Sequence, residues 1–205
     1  EIAPDILYAH FWKNALRVLK YASKAHKPIF VACGEGDDAM EEMMDTMSET
    51  TKQKLKGNVK GVICVSSQNR NKCISYALSD KEDIVVIPNA VDVSLFHPNE
   101  RNNRLHEQLG VNKDDFLILF VGSFTERKGC ARLAKAVDRL NDSHIKIVFI
   151  GKPFPGYEFD FSCKGVVFKG EMEHNYLLNY YLSADAFVLP TLNEGCSNAI
   201  VEALA

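Results

Sequence analysis

No stretch of this 205-residue chain reaches the roughly 20 consecutive apolar residues that cross a bilayer, and no secretory leader pattern is present. Neither sign of charge dominates. The 24 Lys and Arg against 27 Asp and Glu leave a net charge of -3, so the whole chain offers no basic field for nucleic acid. The six cysteines, Cys33, Cys64, Cys73, Cys130, Cys163 and Cys196, contain no Cys-x-x-Cys pair, and most lie in apolar runs or beside glycine. They are read as reduced, small core residues of a cytosolic protein rather than as metal ligands or a disulfide frame. His97, His106, His144 and His174 lack the His-x-x-x-His spacing of a metal site. There is no Asp-x-Asp triplet, and Glu35-Gly36-Asp37 and Glu171-Met172-Glu173, the nearest to one, read as exposed turn carboxylates rather than Mg²⁺ ligands. No metal and no cofactor is expected. A Gly-x-Ser-x-Gly elbow, solenoid-period repeats and low-complexity runs are also missing.

What is present is alternation. Short apolar runs at 6–8, 28–33, 61–65 and 84–87 read as strands, and periodic segments at 13–24, 38–55 and from Ser66 or Ser67 to Leu78 read as helices. Met40, Met43, Met44 and Met47 recur at helical spacing, which favours a core stripe over a greasy surface. The rhythm breaks across Asn89–Pro98 and the polar stretch after it, and there we place a domain boundary, giving domains 1–98 and 99–205. The second domain continues with a short helix at 105–109 and a strand at 116–121. A helix at 130–140 presents Leu133, Ala136, Val137 and Leu140, and a strand follows at 146–150. After an irregular loop at 153–163 come a strand at 166–168, a helix at 175–183 and a strand at 186–189. Strands alternating with helices imply an α/β fold with parallel sheets and right-handed crossovers.

The richest stretch is the last. Ala186-Phe-Val-Leu-Pro190 is a strand stopped by proline, Thr191 to Asn198 is a polar turn, and Ala199 to Ala205 begins a helix. On one helix Glu194 and Glu202 would stand roughly 12 Å apart on different sides. Hung instead from a strand end and a helix start, both can reach one small ligand. Ser197 or Asn198 is the natural N-cap, and the amides around Cys196 to Asn198 carry partial positive charge toward that ligand. Carboxylates accept from hydroxyls and amides donate to phosphate, so the turn suits a ligand bearing both. A second charged turn, Gly122-Ser-Phe-Thr-Glu126-Arg127-Lys128-Gly129, follows the strand at 116–121. Two fixed cations there can stabilise a departing diphosphate without a metal.

Pro190, then Glu194-Gly-Cys-Ser-Asn-Ala, then Glu202-Ala resembles the Glu-x7-Glu signature of retaining GT-B glycosyltransferases of family 4, the glycosyl transferases group 1. Val86-Ile-Pro-Asn-Ala-Val-Asp92 with Phe96-His-Pro98 resembles the segment closing that family's N-terminal domain. The resemblance implies two Rossmann-like parallel-sheet domains facing across a cleft, both incomplete here, so that the chain looks like an internal fragment. Residues 1–98 would be the end of the acceptor-side domain, and 99–205 the start of the nucleotide-sugar-binding domain. It assigns Glu194 to the donor sugar, Glu202 to the nucleotide ribose and Lys128 to phosphate. Glu194, Lys128 and Arg127 would be catalytic. The donor would be bound by Gly122, Ser123, Arg127, Lys128, Phe168, Lys169, Glu194, Gly195, Cys196, Ser197, Asn198 and Glu202. There are two departures. Ser123 stands where many members have Arg, and Gly34 where members often have His, which leaves His10 and Glu35 as the acceptor-side groups. The implied activity is metal-independent transfer of a hexose from a nucleoside-diphosphate sugar to a saccharide or lipid-linked acceptor. The family's setting is cytoplasmic, at the inner face of a bacterial membrane, with peripheral membrane association and no nucleic-acid partner. A nucleotide-sensing module without catalysis and a nucleotide-sugar epimerase are the alternatives.

Overall fold

The computed structural model describes residues 3–100, 103–158 and 166–205. It divides into two compact units, Glu1–Asn89 with Glu194–Ser197, and Ala90–Asn193 with Asn198–Ala205.

The first unit runs β1 (Leu7–His10), α1 (Trp12–Ala25), β2 (Ile29–Cys33), α2 (Asp37–Thr46), α3 (Glu49–Asn58), β3 (Val59–Cys64), α4 (Ser67–Ser75) and β4 (Ile84–Val86). All four strands are parallel and lie in sequence order, β1-β2-β3-β4. α1 buries Trp12, Ala15, Leu19 and Ala22 along one stripe, and His26 ends it in the left-handed region, its N–H bonded to Ala22 O. The single helix expected at 38–55 is two. Met47 is extended, and the Ser48 side chain accepts from Thr51 N, so a serine cap interrupts the apolar period and starts α3 afresh. Met40 and Met44 are buried, with Met43 and Met47 packed against the same core, so the methionine stripe is core.

The second unit contains α5 (Asn103–Leu109), β5 (Phe116–Val121), α6 (Cys130–Leu140), β6 (Ile145–Ile150), β7 (Val166–Lys169), α7 (His174–Ser183), β8 (Ala186–Phe187) and α8 (Asn198–Leu204). Its sheet is parallel, in the order β7-β6-β5-β8. Both faces are covered, which is why the central strands are continuous apolar runs. Leu117, Leu119, Val148 and Ile150 face a cluster with Leu105, Leu109 and Leu177, while Phe120, Ile147 and Phe149 face one with Leu133 and Val137. The buried stripe of α6 is Cys130, Leu133, Ala134 and Val137. Ala136 and Leu140, expected inward, are exposed, because the spacing that fits a straight helix is i, i+3, i+4, i+7 from Cys130. β8 pairs over only two residues, although Val188 N still reaches Leu119 O at 2.9 Å. Within each unit every strand therefore ends on the same side, where open α/β sheets take their ligands.

Candidate functional site

In the second unit the loops after β5, β6 and β7 enclose a cleft of about 170 Å³. It is lined by Val121, Gly122, Ser123, Ile150, Gly151, Lys152, Glu171 and Met172, with Leu177 beneath. Two glycines bring its walls together. Gly151 has φ 145, and a Cβ there would stand 2.0 Å from Gly122 O. Gly122 N donates to Ile150 O at 2.9 Å and Phe124 N to Lys152 O at 2.8 Å, carrying strand pairing into the loops. Lys152 and Glu171 pair at 2.8 Å, both about two-thirds exposed, which contributes little to stability. Another cavity of about 170 Å³, bordered by Asp138, Asn141 and Lys146, is formed by the α6–β6 connection. That is the amino end of β6, away from the crevice side, and it holds none of the expected residues.

The charged turn is tied down at several points. Lys128 N donates to Thr125 Oγ1 at 3.1 Å, and Gly129, at φ 79, opens α6; a Cβ there would meet Pro190 O at 2.4 Å. Arg132 Nη2 donates to Arg127 O at 3.2 Å and to Pro190 O at 3.0 Å. Leu192 N donates to Arg127 O at 2.9 Å, and Arg127 Nη1 to Asn193 O at 2.5 Å. The loops after the neighbouring strands β5 and β8 are thus joined up to the residue before Glu194. The two expected cations have different tasks. Arg127 holds a loop carbonyl, whereas the Lys128 stem runs past Gly122, a residue of the cleft wall, 3.9 Å from where a Cβ would stand.

Glu202 is nearly buried, its side chain 9% exposed, and lies 3.5 Å from His174 Nε2. It accepts from the Tyr181 hydroxyl at 2.8 Å. Burial, with the Glu202 charge beside it, pushes the Tyr181 hydroxyl well above its ordinary range, so it stays protonated and donating. Phe168 packs its ring 5.1 Å from Phe124, and Lys169 O accepts from Gly151 N at 3.3 Å, which sets both beside the cleft. Asn198 opens α8 at an exposed position.

The remaining expected residues belong to the first unit. His10 is exposed at the end of β1, stacked on Phe11 with ring centroids 5.2 Å apart. Glu35 follows β2. One carboxyl oxygen accepts from Trp12 N, and the backbone carbonyl of Glu35 accepts from Asn69 Nδ2 at 2.8 Å. Burial pushes the Glu35 carboxyl up to about 7, the neighbouring Cys33 adding to it. Glu194–Ser197 counts with this unit. A Cβ on Gly195 would lie 2.9 Å from Asn69 Oδ1 and 3.2 Å from Gly34 O, and Asn89 Nδ2 donates to Cys196 O at 2.8 Å. Gly195 is therefore a close-approach position, whereas a Cβ on Gly34 would meet only ordinary contacts at 3.4 Å and beyond. The side chain of Asp37 is outside the described residues.

Sequence reasoning missed Arg132, Gly151, Asn69 and Tyr181. Gly151 carried a usable signal, a glycine directly after an apolar strand. The other three act through partners far away in the chain, which no local pattern marks.

Residues 115–205 match the family model described as Glycosyl transferases group 1. The whole chain is 27% identical to TuaC of Bacillus subtilis (strain 168), named as a teichuronic acid biosynthesis glycosyltransferase, and covers 52% of it. Over 69% of the chain and 39% of the relative, it is 29% identical to the Escherichia coli UDP-Gal:alpha-D-GlcNAc-diphosphoundecaprenol alpha-1,3-galactosyltransferase. Anabaena HepE, solved in complex with UDP-glucose, superposes with a TM-score of 0.77 at 18% identity, over 98% of this chain and 57% of that one. The chain spans about half the length of the curated relatives it matches. Its α/β fold of two parallel sheets is that of GT-B glycosyltransferases, and over residues 115–205 its sequence matches the glycosyl transferases group 1.

Proposed function

We propose that the protein transfers a hexose from a nucleoside-diphosphate sugar to a saccharide or lipid-linked acceptor, with retention and without a metal ion in the reaction. The observation that carries this reading is the cleft at the carboxyl ends of β5–β7, where Lys128 crosses Gly122 and the two backbones meet at Gly151. A diphosphate laid over Gly122 meets an ammonium and no side chain in the way. As the bond from the anomeric carbon to the phosphate oxygen breaks, Lys128 stabilises the charge that develops there. The acceptor oxygen bonds to the same face of that carbon and passes its proton to the departing phosphate oxygen, so no strong base of the protein is required.

Glu194 accepts from sugar hydroxyls, with Gly195, Cys196, Ser197 and Asn198 forming the rest of its loop. Glu202, aimed by Tyr181, accepts from ribose hydroxyls. Arg127 positions the Glu194 loop through Asn193. Phe168 and Lys169 border the base, Ser123 belongs to the phosphate turn beside Gly122, and His10 and Glu35 mark the acceptor side. A uridine nucleotide is the donor favoured by the relatives, one named for UDP-Gal and one solved with UDP-glucose. The lipid-linked acceptor in the first of those names supports a peripheral place at a membrane. Among the described residues no helix is long and apolar enough to cross one.

The test is transfer by the full-length protein from UDP-, GDP- and ADP-hexoses, with the product anomer read by NMR. An α-linked product from an α-linked UDP donor, formed at a rate that added Mg²⁺ or Mn²⁺ does not raise, is the expected result. A β-linked product, or no turnover with any donor, overturns the reading.

A further inference from the structure

β2 and β3 end on one register pair, Cys33 opposite Cys64. α4 packs on the same face and lays the Cys73 sulfur 3.6 Å from Cys33 Sγ and 3.8 Å from Cys64 Sγ. All three side chains are fully buried, and their sulfurs lie within 4.8 Å of one another. Spread along the sequence, these cysteines read as separate small core residues; the parallel register and the α4 crossover make them a cluster. Sulfurs bound tetrahedrally to Zn²⁺ at about 2.3 Å are separated by about 3.8 Å. The two measured separations are already close to those edges.

A fourth group stands beside them. Glu35 is two residues beyond Cys33, and burial, with that thiol beside it, pushes its carboxyl up to about 7. Its Oε1 is taken by Trp12 N, but Oε2 is buried without a hydrogen-bond partner. A buried carboxylate oxygen is costly unless something positive or donating meets it.

We propose that Cys33, Cys64 and Cys73, with Glu35 Oε2 as fourth ligand, form a site for a thiophilic divalent ion of the zinc class. Three thiolates select a soft or borderline cation over Mg²⁺ or Ca²⁺, and a fourth protein ligand closes the site to substrate, the mark of a structural ion. It would pin the ends of β2 and β3 to α4 directly below the Gly34–Glu35 turn. Because the donors come from three separate elements, the ion would bind with folding rather than enter a finished cage. None of the four ligands is among the donor-binding residues, and of them only Glu35 is also placed on the acceptor side.

The experiment loads the reduced, metal-free full-length protein with Co²⁺ as a spectroscopic probe and then displaces it with Zn²⁺. One Co²⁺ per chain is expected, with thiolate-to-cobalt charge-transfer absorption and the intense visible bands of a tetrahedral ion, all lost when Zn²⁺ is added. Cys73→Ser should weaken binding at least about 100-fold, while Cys130→Ala, outside the cluster, leaves it unchanged. Glu35→Gln should keep the charge-transfer band but shift the visible bands and weaken binding about tenfold. If Cys73→Ser fails to fold, native mass spectrometry of the full-length protein decides: one Zn²⁺ per chain must be retained, and lost when the chain is unfolded and its thiols alkylated. Absent charge-transfer absorption, or no Zn²⁺ retained by the native protein, overturns the site. A Glu35→Gln spectrum identical to the native one overturns the fourth ligand.

Discussion

Gly151→Ala is expected to destabilise the protein by about 4 kcal/mol, enough to lower Tm by roughly 10 °C. The cost has two sources at one atom. At φ 145 an L-residue is strained, and the new methyl would lie 2.0 Å from Gly122 O, so backbone rather than a yielding side chain must move. Because Gly122 and Gly151 are the two walls of the cleft, whatever folded protein survives should also bind nucleotide poorly. Gly170→Ala is the control. Nothing lies within 4 Å of a Cβ there and its φ is ordinary, so it should shift stability by no more than about 0.5 kcal/mol. Thermal melts of the three proteins read the difference directly.

Lys128→Ala is expected to lower kcat/KM with a UDP-hexose by about 100- to 1000-fold, the loss typical of removing one preorganised charge from a developing anion. The side chain is half-exposed, so the melting temperature should hardly change. Lys128→Arg should recover part of the rate, since it restores the charge with a different shape. Arg127→Ala should behave otherwise. It frees the loop through Asn193, so it should cost stability as well as turnover. A Lys128→Ala enzyme with native kcat/KM would remove the diphosphate from the cleft.

Much of the fold is legible in the residues because each level of the chain agrees with the next. β5 is one uninterrupted apolar run buried on both faces, and α1 carries a clean stripe from Ala15 to Ala22. Errors arise where a local competitor wins. Ser48 caps a new helix inside what the methionines mark as one apolar period, and the inward face of α6 is set by Cys130 and Ala134, small residues that a hydrophobic pattern undervalues. The candidate site is legible in its loops but not in its partnerships. The turn after β5 announces two cations, yet only the fold shows that one of them holds Asn193 O. Glu202 stands out by its spacing, whereas Tyr181, 21 positions earlier, meets it only through the packing of α7. Cys33 and Cys64 converge because parallel strands put their carboxyl ends side by side, and Cys73 joins them from α4.

The most direct test of the central claim is to titrate the full-length protein, carrying isotope-labelled glycine, with UDP and follow the glycine amides by NMR. We expect Gly122 and Gly151, which line the cleft, to shift together and saturate at one affinity, while Gly57 at the end of α3 stays still. Saturable UDP binding that leaves Gly122 and Gly151 unmoved would contradict the account.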